Sequence, residues 1–148
     1  MALEGGCRCG ASRYTLEHGA LPVTYTCHCL DCQTMSGAAF TMQAPVLLER
    51  LSVEGETLDW AHPNSRGQVT TQLFCATCKT RLFSTNEGRP NIALLRAGTL
   101  DRSGELEPAV HMWVKRKQPW VGLPADSETY TEAVPADRLM ALLVPNLS

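Results

Sequence analysis

Seven cysteines stand in three tight groups along the chain, and sulfur ligands at such spacing are typical of metal sites. A structural zinc takes four ligands, usually as two close pairs that distant turns bring together. Seven sulfurs therefore divide as four plus three. We name the two sets the tetrad (Cys7, Cys9, Cys75 and Cys78) and the triad (Cys27, Cys29 and Cys32). The tetrad is predicted to hold a structural zinc that contributes on the order of 10 kcal/mol to folding.

The triad predicts a second zinc site of a different kind. Three protein ligands and a free fourth position are typical of a catalytic zinc. We favour this open site over a closed one in which His111 or His62 supplies the fourth ligand. His28 is a poor ligand candidate, because a residue between two ligating cysteines on an extended segment directs its side chain to the opposite face.

The charge of the triad indicates what chemistry it suits. Zinc held by three thiolates carries a net charge of about -1, so it is a weaker Lewis acid than zinc held by neutral histidines. Activation of water for simple hydrolysis is therefore disfavoured. A soft, sulfur-rich centre is better suited to accepting another sulfur, such as the thiol of a substrate.

Disulfide and redox roles were weighed against metal binding. An odd number of cysteines cannot all pair within one chain. The N-terminal sequence has no basic segment followed by a long apolar run, and no run of about 18 apolar residues occurs, so we expect a cytoplasmic protein without a membrane span. A redox CxxC at Cys29/Cys32 or Cys75/Cys78 remains an alternative, but a thioredoxin-like protein would also have a βαβ pattern.

The elements that position these cysteines are predicted to be mainly strands, in an all-β domain. Short runs rich in β-branched and aromatic residues alternate with turn residues, as in strand-rich folds. Within 68–75, apolar and polar residues alternate with the period of two that a strand requires, although imperfectly. The predicted strands are 12–16, 22–27, 38–44, 50–55, 68–75, 81–85, 91–100 and 110–114.

Two helical segments are predicted beside these strands. The sequence CLDCQTMSG favours one short helical turn that ends at Gly37. Behind Pro135, leucines at helical spacing predict a short C-terminal helix over 135–143. Residues 1–148 are predicted to form a single domain, because one core of this size is self-sufficient.

The composition excludes a large charge excess. The chain has 13 basic and 15 acidic residues and a net charge of -2, so nucleic acid is not an expected partner. Charged residues make up 19% and hydrophobic residues 44% of the chain, which is typical of a folded domain. Bulk electrostatics therefore do not determine the partners, and oligomeric state is not predicted.

The motifs together resemble those of the glutathione-dependent formaldehyde-activating enzyme (GFA) family, which also takes in centromere-protein-V-type proteins. The resemblance covers most of residues 5 to 120, and all seven cysteines match. It implies a β-tent fold of small antiparallel sheets, a structural zinc at the tetrad and a catalytic zinc at the triad. The motifs that carry it are GGCRCGASRY, CHCLDCQTMSGAAF, LFCATC, AGTLD and HMWVKRKQPW.

The resemblance also implies an activity like that of S-(hydroxymethyl)glutathione synthase. Such a carbon-sulfur lyase joins a small thiol such as glutathione to formaldehyde, or to a related carbonyl, without redox change. The alternatives are the same fold acting on another thiol or electrophile, and a non-catalytic zinc-binding module.

This chain departs from the family pattern at two places. Lys79 and Thr80 follow the last cysteine pair, where the family usually has Gly and often Ser, and a left-handed backbone at Lys79 would cost roughly 1 kcal/mol. Gln33 and Thr34 follow the triad, where a basic residue is common, and this change weakens the expectation of an anionic thiol.

Several other side chains have predicted roles. Candidates for placing or protonating the oxyanion are His28, His111, Ser36 and Thr34. Arg8 and the cluster Lys115, Arg116 and Lys117 are candidates for contact with glutathione carboxylates, against the alternative of a solvated basic edge. The aromatic residues divide between pocket-lining candidates, Trp113 and Trp120, and residues assigned to the core, Phe40 and Phe74.

Overall fold

The computed structural model describes residues 2–143 of the chain and is built mainly of strands, as predicted. The helices are α1 (Leu30–Ser36) and α2 (Ala136–Leu143). The strands are β1 (Ala2–Gly6), β2 (Arg13–Glu17), β3 (Thr24–Cys27), β4 (Thr41–Leu47), β5 (Leu51–Glu54), β6 (Thr57–Pro63), β7 (Val69–Cys75), β8 (Arg81–Asn86), β9 (Arg89–Arg96), β10 (Pro108–Met112) and β11 (Glu128–Thr129).

The strands form two sheets. The smaller sheet is antiparallel, with the strand order β1-β2-β5. The larger sheet has the order β11-β10-β3-β4-β9-β8-β7-β6 and is antiparallel from β3 to β6. Strand β10 runs parallel to both β3 and β11. Cys27, the first cysteine of the triad, therefore ends a strand inside the larger sheet and not one at its edge.

The main core lies between the two sheets. Leu3 and Leu16 from the smaller sheet pack in one buried cluster with Val46 and Leu95 from the larger. In β2 the residues Tyr14 and Leu16 are buried and their neighbours are not, which is the alternation of a strand covered on one face. Burial of such apolar side chains, worth about 1.5–3 kcal/mol each, holds the smaller sheet against the larger.

Gly5 shows why β1 fits so closely on its neighbours. A Cβ at this position would lie 2.4 Å from the Tyr14 hydroxyl and 2.5 Å from the Thr99 carbonyl oxygen. The same tyrosine hydroxyl bonds the Thr99 side chain at 2.7 Å. Only glycine allows β1 to lie this close, directly before the first cysteines of the tetrad.

A second core lies under α2. Leu139 and Leu142 of the helix pack with Tyr25 and Val110, which lie on β3 and β10. The predicted C-terminal helix is confirmed within one residue at its start. Over residues 2–143 no helix has the length and apolar character needed to cross a bilayer.

Each predicted strand is found, with ends displaced by up to four residues, while β1, β6 and β11 had no counterpart in the prediction. Strand β6 was missed because nearly all of its side chains are exposed, so it has no buried face to give an alternating pattern. The prediction for 110–114 ran too far, because Trp113 adopts a left-handed φ of 60° and ends β10 at Met112.

Candidate metal centres

The four cysteines of the tetrad meet although two of them lie more than 60 positions from the others. Cys7 and Cys9 lie in the turn after β1, Cys75 ends β7, and Cys78 lies in the turn before β8. All four sulfurs are within 4.8 Å of one another. Within the group the Sγ atoms of Cys7 and Cys9 are 3.6 Å apart, and those of Cys9 and Cys75 are 3.9 Å apart. A metal here would join the edge of the smaller sheet to the larger one.

Two tight turns hold these sulfurs in place. The Ser12 amide donates to Cys7 Sγ at 3.2 Å, and the Cys78 amide donates to Cys75 Sγ at 3.5 Å. The turns contain left-handed residues, Gly10 with a φ of 82° and Lys79 with a φ of 64°. Hydrogen bonds from the Ser12 side chain and the Cys78 amide lower the pKa of the Cys75 thiol to about 7, which favours the thiolate form that a metal needs.

Thr80 links the two turns. Its hydroxyl accepts a hydrogen bond from the Arg8 amide at 3.2 Å and lies 3.1 Å from Cys78 Sγ. The hydrogen bond with Thr80 lowers the pKa of the Cys78 thiol to about 5. The threonine that stands where serine is often found therefore still supports a thiolate.

The triad is compact in sequence as well as in space. Cys27 ends β3, Cys29 is the N-cap of α1, and Cys32 lies in the first turn of that helix. The three sulfurs are within 4.8 Å of one another, and the Cys32 amide donates to Cys29 Sγ at 3.3 Å. Cys27 is buried, and the other two are partly exposed. The group is thus open to solvent on one side.

The triad sulfurs divide their charge unequally. Hydrogen bonds with Cys27 and Cys29 lower the pKa of the Cys32 thiol to about 3. The pKa of Cys27 is raised instead, by its hydrogen bonds with the other two sulfurs and by burial. Three sulfurs this close cannot all ionise alone, because each thiolate disfavours the next. A cation among them would remove that conflict.

No fourth ligand completes the triad within residues 2–143. His62 lies on β6, where it stacks on Trp60 at 4.2 Å and bonds Gln72. His111 bonds Thr26 Oγ1 through its Nδ1 at 2.6 Å. Neither histidine joins the sulfur cluster, so the described chain offers three ligands at this site.

His28 is fully buried beside the triad and is not part of the sulfur cluster, as predicted. Its Nε2 lies 3.0 Å from Thr26 Oγ1, and its ring is 5.0 Å from that of Phe40. The Thr26 hydroxyl has one proton and can donate it to only one of its two histidine neighbours. The other imidazole must therefore donate its N–H to the Thr26 oxygen. Burial lowers the pKa of both His28 and His111, which favours neutral imidazoles at pH 7.

Gln33 fixes the start of α1. Its side-chain amide donates to the carbonyl oxygens of His28 at 2.8 Å and Arg116 at 2.9 Å, and its Oε1 accepts from Gln118. The glutamine that replaces the commoner basic residue therefore ties the triad to the segment 114–118. In the sequence, Gln33 stands out only as a departure from the family pattern.

A pocket of about 470 Å³ lies beside the triad. Its apolar wall includes Phe40 and Phe74, which were predicted to be core residues; this prediction is wrong for Phe40, which is 37% exposed, and Phe74 is only partly buried. Thr41 lines the pocket and also contacts Cys32, whose pKa it helps to lower. The pocket and the triad therefore share a wall.

Three basic side chains, Lys79, Arg81 and Arg96, line this pocket. Neither arginine was among the predicted site residues, although Arg96 directly precedes the AGTLD motif and Arg81 lies three residues after Cys78. The predicted carboxylate-binding residues lie elsewhere. Lys115 pairs with Glu132, Lys117 donates to the Val121 carbonyl at 2.6 Å, and neither Arg8 nor the cluster 115–117 is part of the pocket wall.

The remaining predicted residues fall into two groups. Ser36 lines the pocket and donates to the Cys32 carbonyl at 2.7 Å, while Thr34 is exposed on α1. Trp113 lines a second cavity of about 500 Å³ near α2, and Trp120 is 74% exposed. Neither tryptophan lines the pocket beside the triad.

Comparisons with known proteins find similarity in sequence and in fold. Residues 2–116 match the sequence profile of the family described as glutathione-dependent formaldehyde-activating enzyme. No curated protein matches the chain in sequence. A crystal structure of a Rhodobacter sphaeroides protein is similar, with a TM-score of 0.54 and 16% identity over 86% of this chain and 99% of that one. At this identity the structural similarity concerns the fold alone.

Proposed function

Because this chain belongs to the glutathione-dependent formaldehyde-activating enzyme family, we propose that it is a zinc-dependent carbon-sulfur lyase that forms or cleaves thiol-carbonyl adducts. Its substrates would be a small thiol, glutathione or a related compound, and formaldehyde or a related small carbonyl. The observation that carries the proposal is the triad itself: three clustered sulfurs, with no fourth side-chain ligand in residues 2–143, next to a pocket.

The sulfur clusters fit zinc at both sites. The tetrad supplies four sulfurs, as a closed structural site requires, and the triad supplies three, as an open site requires. Sulfur-only donor sets favour a soft or borderline metal over magnesium or calcium. When bound at the triad, zinc supplies positive charge that favours the thiolate form of an incoming thiol.

The chain's own residues hold and orient the reactants. Cys29, as N-cap, and Gln33, through its two carbonyl contacts, fix the segment that carries the sulfurs. The pocket beside Thr41 would receive the rest of the thiol substrate. Holding the thiol sulfur and the carbonyl carbon together replaces a two-molecule encounter with an oriented one.

The proposed reaction is balanced without an oxidant or reductant. A carbon-sulfur bond forms between the thiol sulfur and the carbonyl carbon, and the carbonyl oxygen takes a proton equivalent to the one the thiol loses. The product is a hydroxymethyl thioether when the carbonyl is formaldehyde. Since a few per cent of a free thiol is ionised at pH 7, full ionisation gains at most about 30-fold, and orientation must supply the rest.

The proposal is tested with zinc-loaded protein, formaldehyde and glutathione, with adduct formation followed by exchange NMR. We expect a rate above that of the spontaneous reaction, and its loss in Cys29→Ala. Thr34→Ala, an exposed change on the same helix, should keep the rate. If the fully metallated protein gave no acceleration, this substrate pair would be excluded, and other thiols and carbonyls would be tried before a binding module is accepted.

A further inference from the structure

The pocket beside the triad is lined by three basic side chains and, within the described part of the chain, by no acidic one. Arg81 and Arg96 line it, and the Arg81 guanidinium lies over the Phe74 ring at 5.2 Å. Within residues 2–143 neither arginine forms an ion pair with a carboxylate. Three arginines elsewhere do pair with carboxylates, at 2.5–2.7 Å: Arg13 with Asp101, Arg102 with Glu105, and Arg138 with Glu128.

Both pocket arginines have an unsatisfied buried atom. The Nε atoms of Arg81 and Arg96 are buried without a hydrogen-bond partner in the described chain. Burial also lowers the pKa of both guanidinium groups, although each stays charged at pH 7. A buried donor without a partner costs free energy, and a buried charged donor costs more. An anionic ligand in the pocket would supply the negative charge that neither guanidinium group finds within residues 2–143.

The pocket that the arginines line reaches the triad through Thr41, which is part of its wall and contacts Cys32. The charges of Arg96 and Arg81 act on the Cys32 thiolate. A molecule held by the guanidinium groups would therefore lie with its other end near the sulfurs. The pocket volume of about 470 Å³ is within the usual range for small-molecule sites.

Lys79 adds a third positive charge at the edge of the pocket, and it does so from a strained position. Its φ of 64° is in the left-handed region that favours glycine. Its side chain lines the pocket and its Nζ donates to the Ala76 carbonyl oxygen. Strained residues cluster at functional sites because the strain is retained where the side chain serves a purpose.

We propose that this pocket binds the carboxylate end of an anionic thiol, with Arg96 and Arg81 as its two anchors and Lys79 at its edge. The inference rests on the proposed function, because it assigns the thiol end to the triad. Planar guanidinium groups suit carboxylates through paired hydrogen bonds, which a neutral or cationic thiol cannot form. The enzyme would thus prefer thiols that carry a carboxylate.

Binding is measured first, without catalysis. S-methylglutathione has the carboxylates of glutathione but a blocked sulfur, and its affinity for the zinc-loaded protein is measured by isothermal titration calorimetry. We expect Arg96→Gln to weaken binding by about 10-fold or more and Arg81→Gln to act in the same direction. Arg102→Gln, the same change at an exposed arginine outside the pocket, should bind like the wild type.

Three calorimetric results would each overturn the inference. The first is a wild type that does not bind the blocked ligand, and the second is equal affinity in the wild type and Arg96→Gln. The third is a loss of affinity in Arg116→Gln, which would place the anion at the basic segment 115–117. The melting temperature of each variant is measured alongside, so that a folding defect is not read as a loss of binding.

Thiol selectivity separates this inference from the proposed function. Three thiols are compared, each with formaldehyde as the second substrate: the anionic 3-mercaptopropionate, the neutral 2-mercaptoethanol and the cationic cysteamine. For each thiol the ratio of kcat/KM between the wild type and Arg96→Gln is measured, so that the intrinsic reactivity of the thiol cancels. We expect a large ratio for the anionic thiol only. Equal ratios for all three would overturn the pocket assignment and leave the lyase proposal standing. No acceleration with any thiol would reject the lyase proposal, and the calorimetry would still decide the pocket.

Discussion

The tetrad and the triad are built from the same ligand but on different plans. The tetrad draws its sulfurs from two turns that lie far apart in sequence, whereas the triad takes all three from residues 27–32. A metal at the tetrad would therefore join two sheets, and a metal at the triad would leave the topology unchanged. A site whose ligands come from distant parts of the chain therefore indicates a structural role. A site that has only three protein ligands and lies beside a pocket indicates a chemical role.

The largest expected effect is on the tetrad. Cys75→Ala, or removal of metal by a chelator, should abolish cooperative folding, because structural zinc contributes on the order of 10 kcal/mol and a domain of this size has about 5–15 kcal/mol in total. Thermal melting followed by circular dichroism measures this. A variant that melted like the wild type would show that the sheets hold together without the tetrad metal.

The next effect separates chemistry from stability. Cys32→Ala should lose one metal per chain and at least about 100-fold in adduct-forming rate, since the open site is gone. Its melting transition should stay close to that of the wild type, unlike that of Cys75→Ala. Metal analysis, NMR rates and melting are measured on one preparation, and a Cys32→Ala protein that failed to fold would remove the distinction between the two sites.

Gln33→Ala tests whether the triad depends on its neighbours for position. Loss of two side-chain hydrogen bonds to carbonyls should cost about 1–3 kcal/mol in unfolding free energy, measured by urea titration. The rate should fall while both metals stay bound. Gln68→Ala, a change in the turn between β6 and β7, is the control and should keep the rate.

The smallest effect compares the two turns of the tetrad. Lys79→Gly should raise the unfolding free energy by roughly 1 kcal/mol, because glycine adopts a φ of 64° without strain. Gly10→Ala, at a φ of 82°, should lower it by a similar amount. Both are measured by urea titration of the metal-loaded protein. Opposite signs are expected; a stability loss in Lys79→Gly would show that its side-chain contact outweighs the backbone strain.

The cysteine groups could be predicted from the sequence because the spacing within each group is local. The strand-rich fold class could be predicted because most strands have a buried face. The basic pocket was not readable. Arg96 lies opposite Gln43 in the pairing of β9 with β4, and Arg81 enters from β8, so the pocket forms only when distant strands align. Phe40 gave no local sign of exposure, because an aromatic residue in an apolar run is more often core.

The most direct test of the central claim is a crystal structure of the zinc-loaded protein with glutathione. The account predicts two zinc ions per chain, one held by the four tetrad sulfurs and one held by the triad with the glutathione sulfur as fourth ligand, at about 2.3 Å. A protein side chain such as His28 or His111 in that fourth position, or a triad without metal, would contradict it.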